Sequence, residues 1–109
     1  MRSESLRGVT PQELIRLMNQ GALVLDLRPA EQYQAGHLNG ARQMSSEQIL
    51  NAGDTLKKHK EKTVVVYDDS GSLGASAVRQ LAAQGFTRAF ALRGGLSAWR
   101  ADNLPLSRA

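Results

Sequence analysis

The sequence contains no cysteine and few aromatic residues. Its 109 residues include one tryptophan, two tyrosines and two phenylalanines. The absence of cysteine excludes disulfide bonds, metal sites built on thiolates, and any reaction that uses a thiol of this chain. The two histidines, His37 and His59, do not have the spacing of metal ligands. We therefore expect no metal and no cofactor.

Long apolar runs are also absent. No run approaches the ~20 apolar residues needed to cross a bilayer, and residues 1–8 lack the apolar core of a signal peptide. We expect a cytoplasmic protein, or the soluble part of a longer one. The hydrophobic fraction of 41% and the length fit one domain over residues 1–109, with a core over residues 7–105.

Basic residues exceed acidic ones, 14 to 10, which gives a net charge of +4. They cluster once, at Lys57, Lys58, His59, Lys60 and Lys62. No aromatic side chains interleave with this cluster, so nucleic-acid bases would have no surface to stack on, and we expect no nucleic-acid partner. Such a run is typical of a solvated helix end, and the alternative is a patch that binds an acidic partner or anionic lipid.

Strands alternate with helices along the chain. Short apolar segments predict strands at residues 6–9, 22–27, 41–44, 63–67 and 89–92. Residues 22–27 form an apolar run that only Asp26 interrupts, as in strands that are buried on both faces of a parallel sheet. The order predicts an α/β fold: a parallel central sheet of about five strands with helices on both faces.

Capping residues predict where several helices begin and end. Thr10 and Glu13 form a capping box around Pro11, which suits the first helical position. Ser45 or Ser46 would cap a helix over 46–50, which Gly53 would break. Further helices are predicted over 30–34 and 75–84, with one turn over 55–59 and a last helix after 94–95. The longest of these would place its apolar side chains on one face: Ala77, Val78, Leu81 and Ala82.

Ligands of open α/β sheets collect beyond the carboxyl ends of the strands. The first candidate site is the loop after strand 63–67: Asp68, Asp69, Ser70, Gly71, Ser72, Leu73 and Gly74. Its small residues allow backbone N–H groups to converge at a helix N-terminus, an arrangement that attracts anions. The second candidate follows strand 22–27 and contains Asp26, Arg28, Glu31 and His37.

Three known chemistries fit this loop poorly. A phosphate-binding loop needs lysine after its second glycine, where this chain has Ala75, and 70–74 does not match the G-x-S-x-G turn of serine hydrolases. Asp68 at a strand end could act as a phosphoryl acceptor. However, the side chain of the adjacent Asp69 tends to diverge from it, and no phosphate-binding lysine follows, so this remains a weak alternative.

Two motifs resemble the rhodanese-like superfamily. Residues 26–41 match D-x-R-x-x-E-x-[YF]-x-x-G-H-[IL]-x-G-A, and residues 94–99 match the ending Gly-Gly-x-x-Ala-Trp. The resemblance covers about residues 9–105 and implies the rhodanese-like fold. Members of the superfamily carry sulfur as a persulfide on a cysteine directly after the strand, where this chain has Asp68. A carboxylate has no sulfur to extend, so the resemblance implies that Asp68 cannot form a persulfide.

Two more departures from the family affect the same loop. Leu73 stands where active members often carry an arginine that holds anionic donors. Asp69 adds a second negative charge, and two unit charges ~5 Å apart repel by about 1 kcal/mol even in water. The sequence therefore predicts a non-catalytic binding or regulatory module that recognises another protein through the 68–74 rim, with or without the 57–62 cluster. The alternative is a sulfur relay in which a partner's cysteine supplies the thiolate.

The remaining motif residues have structural interpretations. We expect Asp26 and Arg28 to pair near the strand end, Glu31 to cap or pair locally, and His37 to be a hydrogen-bonded structural histidine. The aromatic residues Tyr33, Phe86 and Trp99 are expected in the core.

A narrower resemblance concerns location. Residues 25–41, 56–62 and 103–106 resemble small bacterial rhodanese-like proteins that carry one N-terminal membrane helix. That likeness implies a cytoplasmic domain tethered to the inner membrane by an anchor absent from this chain.

Overall fold

A computed structural model describes residues 7–108. Five strands form one sheet in the order β1-β5-β4-β2-β3, and every neighbouring pair is parallel. The strands are β1 (Gly8–Val9), β2 (Leu23–Asp26), β3 (Arg42–Gln43), β4 (Val64–Tyr67) and β5 (Ala89–Leu92). The prediction of a parallel, five-stranded α/β sheet is therefore confirmed.

Helices occupy the connections between these strands. They are α1 (Pro11–Asn19), α2 (Ala30–Ala35), α3 (Ser46–Ile49), α4 (Ala52–Thr55), a 3₁₀ helix (Lys57–His59), α5 (Gly74–Ala83) and α6 (Gly95–Ala101). Within residues 7–108, no helix is long and apolar enough to span a membrane.

The sheet separates two apolar clusters. Successive side chains of β4 point to opposite faces, so Val64 and Val66 join one cluster while Val65 and Tyr67 join the other. The first cluster is completed by buried side chains from α3, α4, α5 and the segment after it, such as Ile49, Ala52, Leu81 and Phe86. The second is completed from α1 and α6 and includes Leu14, Leu96 and Trp99. Both faces of β2 and β4 are buried, which is why those strands are apolar apart from Asp26 at the end of β2.

The helix starts largely follow the capping signals. Both bonds of the Thr10–Glu13 capping box are present, and Ser45, rather than Ser46, caps α3. Gly53 does not break a helix as expected but lies inside α4. Its N–H donates to Gln84 Oε1 at 2.7 Å, and a Cβ at residue 53 would lie 3.1 Å from that same oxygen. The glycine thus allows the end of α5 to pack closely against α4.

The prediction of which residues form the apolar face of α5 is also partly wrong. Ala77, Val78 and Leu81 are buried against the sheet, whereas Ala82 is exposed. The edge strand β1 is only two residues long. It therefore does not extend the sheet far enough to cover the side of α5 on which Ala82 lies.

Candidate functional site

The loop after β4 is organised around the carboxylate of Asp68. This side chain is 5% exposed. Its Oδ1 accepts a hydrogen bond from the Gly71 N–H at 2.7 Å, and its Oδ2 accepts one from the Leu73 N–H at 3.0 Å and a longer one from Ser72 Oγ at 3.3 Å. The loop amides thus converge on an anion, as the sequence predicts, and that anion belongs to the protein.

The carboxylate of Asp68 lies among hydrogen-bond donors at the start of a helix. Hydrogen bonds to a charged acceptor are shorter and stronger than neutral ones. Leu73 is the N-cap residue of α5, so the carboxylate also lies at the N-terminus of a 10-residue helix. The partial positive charge at that end stabilises an anion.

The backbone of this loop is held against α6. The C=O of Asp68 accepts from the Leu96 N–H at 2.8 Å, and the C=O of Asp69 accepts from the Ser97 N–H at 2.9 Å. Gly95, with φ +58°, lies so close that a Cβ there would approach the Asp68 carbonyl oxygen to 2.5 Å and the Gly71 nitrogen to 2.7 Å. Gly95, the first residue of α6, therefore has to be glycine for the loop to pack against this helix.

Other side chains of the loop face solvent. Asp69, Ser70, Ser72 and Leu73 are all exposed. Leu73 is one of only two large hydrophobic side chains that are exposed among residues 7–108. Ser70 Oγ donates to Ser72 Oγ at 3.2 Å, which orders the rim but leaves it open.

Asp26 and Arg28 form a buried ion pair at the end of β2. Arg28 Nη2 donates to Asp26 Oδ2 at 2.7 Å, and the Arg28 backbone N–H and Nε donate to Asp26 Oδ1 at 2.9 and 3.0 Å. Arg28 Nη2 also donates to the C=O of Gly36 at 2.6 Å. Burial is the largest single influence and lowers the pKa of the Arg28 guanidinium, but the hydrogen bond to Asp26 and the negative charges around it together outweigh burial, so the pKa is raised.

Tyr67 is a member of this network that the sequence did not reveal. Its hydroxyl donates to Asp26 Oδ2 at 2.6 Å and accepts from the Leu38 N–H at 3.1 Å. Burial, followed by the hydrogen bond to Asp26, raises the pKa of Tyr67 far above its ordinary value. From the sequence, Tyr67 is recognisable only as an apolar strand residue, because its polar role depends on the pairing of β2 with β4.

One ion pair connects the two candidate sites. Arg28 Nη1 lies 3.8 Å from Asp69 Oδ1, although 57% of the Asp69 side chain is exposed. The contact is long and solvated, so its contribution to stability is small. It nevertheless directs the Asp69 carboxylate toward Arg28, while the Asp68 carboxylate is held by the loop amides. The two side chains diverge, as adjacent residues tend to do.

His37 and Glu31 do not join the loop. His37 Nδ1 donates to the C=O of Tyr33 at 2.7 Å, and the two rings stack with centroids 3.9 Å apart. Because a carbonyl can only accept, Nδ1 carries the proton. Glu31 neither caps a helix nor pairs locally, because its side chain has no hydrogen bond or ion pair anywhere in the described stretch 7–108. It is exposed in the first turn of α2, where a negative charge is favoured without a specific partner.

The aromatic residues are only partly as expected. Phe86 and Trp99 are buried, and Trp99 Nε1 donates to the C=O of Pro105 at 2.9 Å. Tyr33 is half-buried: it packs against the second apolar cluster, and its hydroxyl donates to the C=O of Ala41.

The basic cluster is distant from the loop. The 57–62 segment precedes β4, whereas Asp68 follows it, so the two lie at opposite ends of a strand ~13 Å long. Arg42 lies near this cluster. Burial lowers the pKa of His59, and the positive charges of Lys62, Arg42 and Lys58 lower it further. The rim and the cluster therefore do not form one continuous surface. Residues 7–108 also contain no group of three or more histidines or acidic residues placed to hold a metal ion.

Comparison with known proteins identifies the family. The model of the rhodanese-like domain matches residues 10–102. The chain belongs to the rhodanese-like family. It is 35% identical over 109 residues to the uncharacterized protein YibN of Escherichia coli K12, covering 97% of this chain and 76% of YibN. It is 32% identical over 96 residues to the thiosulfate sulfurtransferase GlpE of Pseudomonas putida GB-1, covering 87% and 86% of the two chains.

Solved structures of this family superpose well on the chain. The rhodanese-like domain of the Anabaena protein Alr3790 gives a TM-score of 0.81 at 26% identity, covering 94% of this chain and 80% of that one. The Bacillus halodurans protein BH2092 gives 0.81 at 28% identity, covering 97% and 80%. The rhodanese-like fold is thus present although the chain has no cysteine.

The substitution Tyr67→Phe tests the buried network. It leaves the Asp26 Oδ2 and the Leu38 N–H without this partner, and we expect the free energy of unfolding to fall by about 1–3 kcal/mol. Urea unfolding followed by circular dichroism measures the change. Tyr33→Phe, which removes a half-buried hydroxyl, is the control and should cost less. Equal losses in the two variants would contradict the central role of Tyr67.

The substitution Gly95→Ala tests the docking of the loop on α6. Its methyl group would overlap the Asp68 carbonyl, and we expect a loss of at least about 3 kcal/mol in unfolding free energy. Gly21→Ala is the matched control, since Gly21 also has a positive φ, +90°, but a Cβ there meets nothing within 4 Å. It should cost about 1 kcal/mol from backbone strain alone. A similar cost at both positions would show that the loop can move away from a methyl group at residue 95 without a further loss of unfolding free energy.

Proposed function

We propose that this protein is a rhodanese-like domain that does not transfer sulfur and acts as a binding or regulatory module for another protein. One observation carries the proposal. The Asp68 carboxylate accepts the loop hydrogen bonds at the position where the family places its sulfur-carrying cysteine. An oxygen acid at this position has no sulfur atom to which a second sulfur could be added.

The charges of the loop also oppose an anionic sulfur donor. Thiosulfate would have to displace the Asp68 carboxylate from its hydrogen bonds and enter beside Asp69. A buried charge that loses its partners is expensive to accommodate. The arginine that would offset this cost in active members is replaced by Leu73, so the loop disfavours the substrate as well as the reaction.

The rim of the same loop is suited to binding. Leu73 offers an apolar side chain next to the hydroxyls of Ser70 and Ser72, and the backbone beneath is held by α6. Exposed side chains on a rigid support are typical of recognition sites. Sulfur relay through a partner's cysteine is less well supported, because Asp68 itself occupies the bowl of amides that would stabilise the transferred sulfur.

The first test is the thiosulfate-to-cyanide assay. We expect the purified protein to form no thiocyanate above the background, and thiocyanate formation would overturn the proposal. Sulfur transfer that requires an added persulfide-bearing partner would support the relay instead. Mg²⁺-dependent hydrolysis of a phosphate ester that is lost in Asp68→Asn would identify Asp68 as a phosphoryl acceptor.

A second test restores the thiol. We expect Asp68→Cys to fold, because a thiolate can accept the same amide bonds, but to remain poorly active since Asp69 and Leu73 are unchanged. Adding Asp69→Ser and Leu73→Arg should raise thiocyanate formation by about tenfold or more, because the local charge then attracts the anion. Asp68→Ser with the same two changes is the matched control without a thiol. High activity from Asp68→Cys alone would show that the charge of the loop matters little.

A cytoplasmic location, with a tether to the inner membrane outside this chain, belongs to the same proposal. It rests on the resemblance to tethered bacterial rhodanese-like proteins. Protease treatment of spheroplasts that produce the full natural protein should leave the domain intact until the membrane is permeabilised. Digestion of the domain in intact spheroplasts would contradict this location.

A further inference from the structure

Basic side chains gather at the edge of the sheet where the central strands begin. The first residues of β2, β4 and β5 are in register, so the segments that precede these strands lie side by side. The Thr87 N–H and hydroxyl both donate to the C=O of Lys60, at 3.1 and 3.4 Å, which joins the segment before β5 to the segment before β4. Lys60, Lys62 and Arg88 are thereby brought to one edge.

The 3₁₀ helix and strand β3 extend this basic surface. The 3₁₀ helix contributes two lysines, and Arg42 lies on β3. Burial has the largest effect on His59 and lowers its pKa, and the positive charges of Lys62, Arg42 and Lys58 lower it further, so these three cations lie around one side chain. We call the whole set the basic edge: Arg42, Lys57, Lys58, Lys60, Lys62 and Arg88.

The basic edge is available to a ligand. Five of its six side chains are exposed, and that of Lys60 is half-buried. None of the six forms an ion pair or a side-chain hydrogen bond with another residue of the described stretch 7–108. Two acidic residues, Asp54 and Glu61, lie beside or within the 57–62 segment in sequence. Positive charge is therefore in clear excess at this edge.

A polar pocket of about 430 Å³ opens at the same edge, between the end of α1 and the starts of β2, β4 and β5. Lys62 and Arg88 line it together with the polar residues Gln20 and Thr63 and one acidic residue, Glu61. A phosphate in this pocket would meet two cations. Hydroxyl groups attached to that phosphate could donate to the Glu61 carboxylate, which can only accept. The pocket thus suits a phosphate head group that also carries hydroxyls.

The composition of the basic edge favours a bilayer over a protein or a nucleic acid. Protein interfaces are rich in aromatic side chains and depleted in lysine, whereas four of these six residues are lysines and residues 57–63 contain no apolar side chain. Reading of bases requires a helix or β-ribbon in a groove, or aromatic side chains for stacking. A three-residue 3₁₀ helix and strand ends provide neither. Clustered lysines and arginines are attracted to an anionic lipid surface without any fitted partner.

We propose that the basic edge binds the surface of an anionic phospholipid bilayer, with one head-group phosphate in the pocket beside Lys62 and Arg88. This inference goes beyond the proposed function and does not depend on it. The Asp68 loop follows β4 at the other end of the strand, so a domain seated in this way holds the loop away from the bilayer.

The first test measures co-sedimentation of the full chain with phosphatidylcholine vesicles that contain or lack phosphatidylglycerol. We expect binding only where phosphatidylglycerol is present, with an affinity that falls as salt rises. Equal binding to pure phosphatidylcholine, or no binding to either vesicle at low salt, would overturn the proposal. Duplex DNA that displaces the protein at an equal concentration of phosphate groups would identify a general polyanion site and would overturn it as well.

A matched pair of double variants separates the basic edge from net charge. Arg42→Gln with Arg88→Gln removes two cations of the edge and should weaken binding to phosphatidylglycerol vesicles by about tenfold or more. Arg100→Gln with Arg108→Gln makes the same change of charge in α6 and the segment after it, which pack on the other face of the sheet from the 3₁₀ helix. That control should stay within about twofold of the unmodified protein. Equal weakening by the two double variants would contradict a specific lipid-binding edge.

The absence of cysteine allows a single thiol label to test the orientation on the bilayer. Thr87→Cys places a polarity-sensitive fluorophore between Lys60 and Arg88, and Ser70→Cys places the same fluorophore on the rim of the Asp68 loop. With phosphatidylglycerol vesicles, we expect the label at residue 87 to be protected from quenching by acrylamide and the label at residue 70 to remain accessible. Equal protection of both labels, or protection of residue 70 alone, would overturn the proposed seating.

Discussion

A loop whose amides converge needs an acceptor at the point of convergence, and this constraint governs the molecule. The N–H groups of Gly71 and Leu73 point to one place, and the Asp68 carboxylate fills it. The loop therefore keeps its hydrogen bonds in a chain that has no thiol. This explains how the chain retains a rhodanese-like fold without any cysteine.

The carboxylate of Asp26, deeper in the protein, is likewise held by hydrogen bonds from neighbouring groups. Burying its charge is tolerable only because Arg28 and Tyr67 both donate to it. These bonds join the end of β2 to the end of β4, the strand that leads into the Asp68 loop. The exposed contact from Arg28 to Asp69 extends this network to the loop surface. The rim is thus supported from beneath by buried polar bonds and from the side by α6.

Local patterns made much of this predictable. The strands, the Thr10 capping box and the convergence of the loop amides involve residues close in sequence, so composition and spacing predict them. The bond from Tyr67 to Asp26 crosses 41 positions and depends on which strands are neighbours. Gly53 was misread because a glycine that ends a helix and a glycine that admits a neighbouring helix look alike in sequence.

The bonds from Leu96 and Ser97 to the Asp68 and Asp69 carbonyls have a consequence for association. A recognition loop that must become ordered on contact loses conformational entropy and thereby affinity. Here backbone hydrogen bonds already join the Asp68 loop to α6. The two segments meet at Gly95, where there is no space even for a Cβ atom. If the protein binds a partner at this rim as proposed, complex formation would therefore be close to rigid-body docking, with association rates set by diffusion and orientation instead of by loop rearrangement.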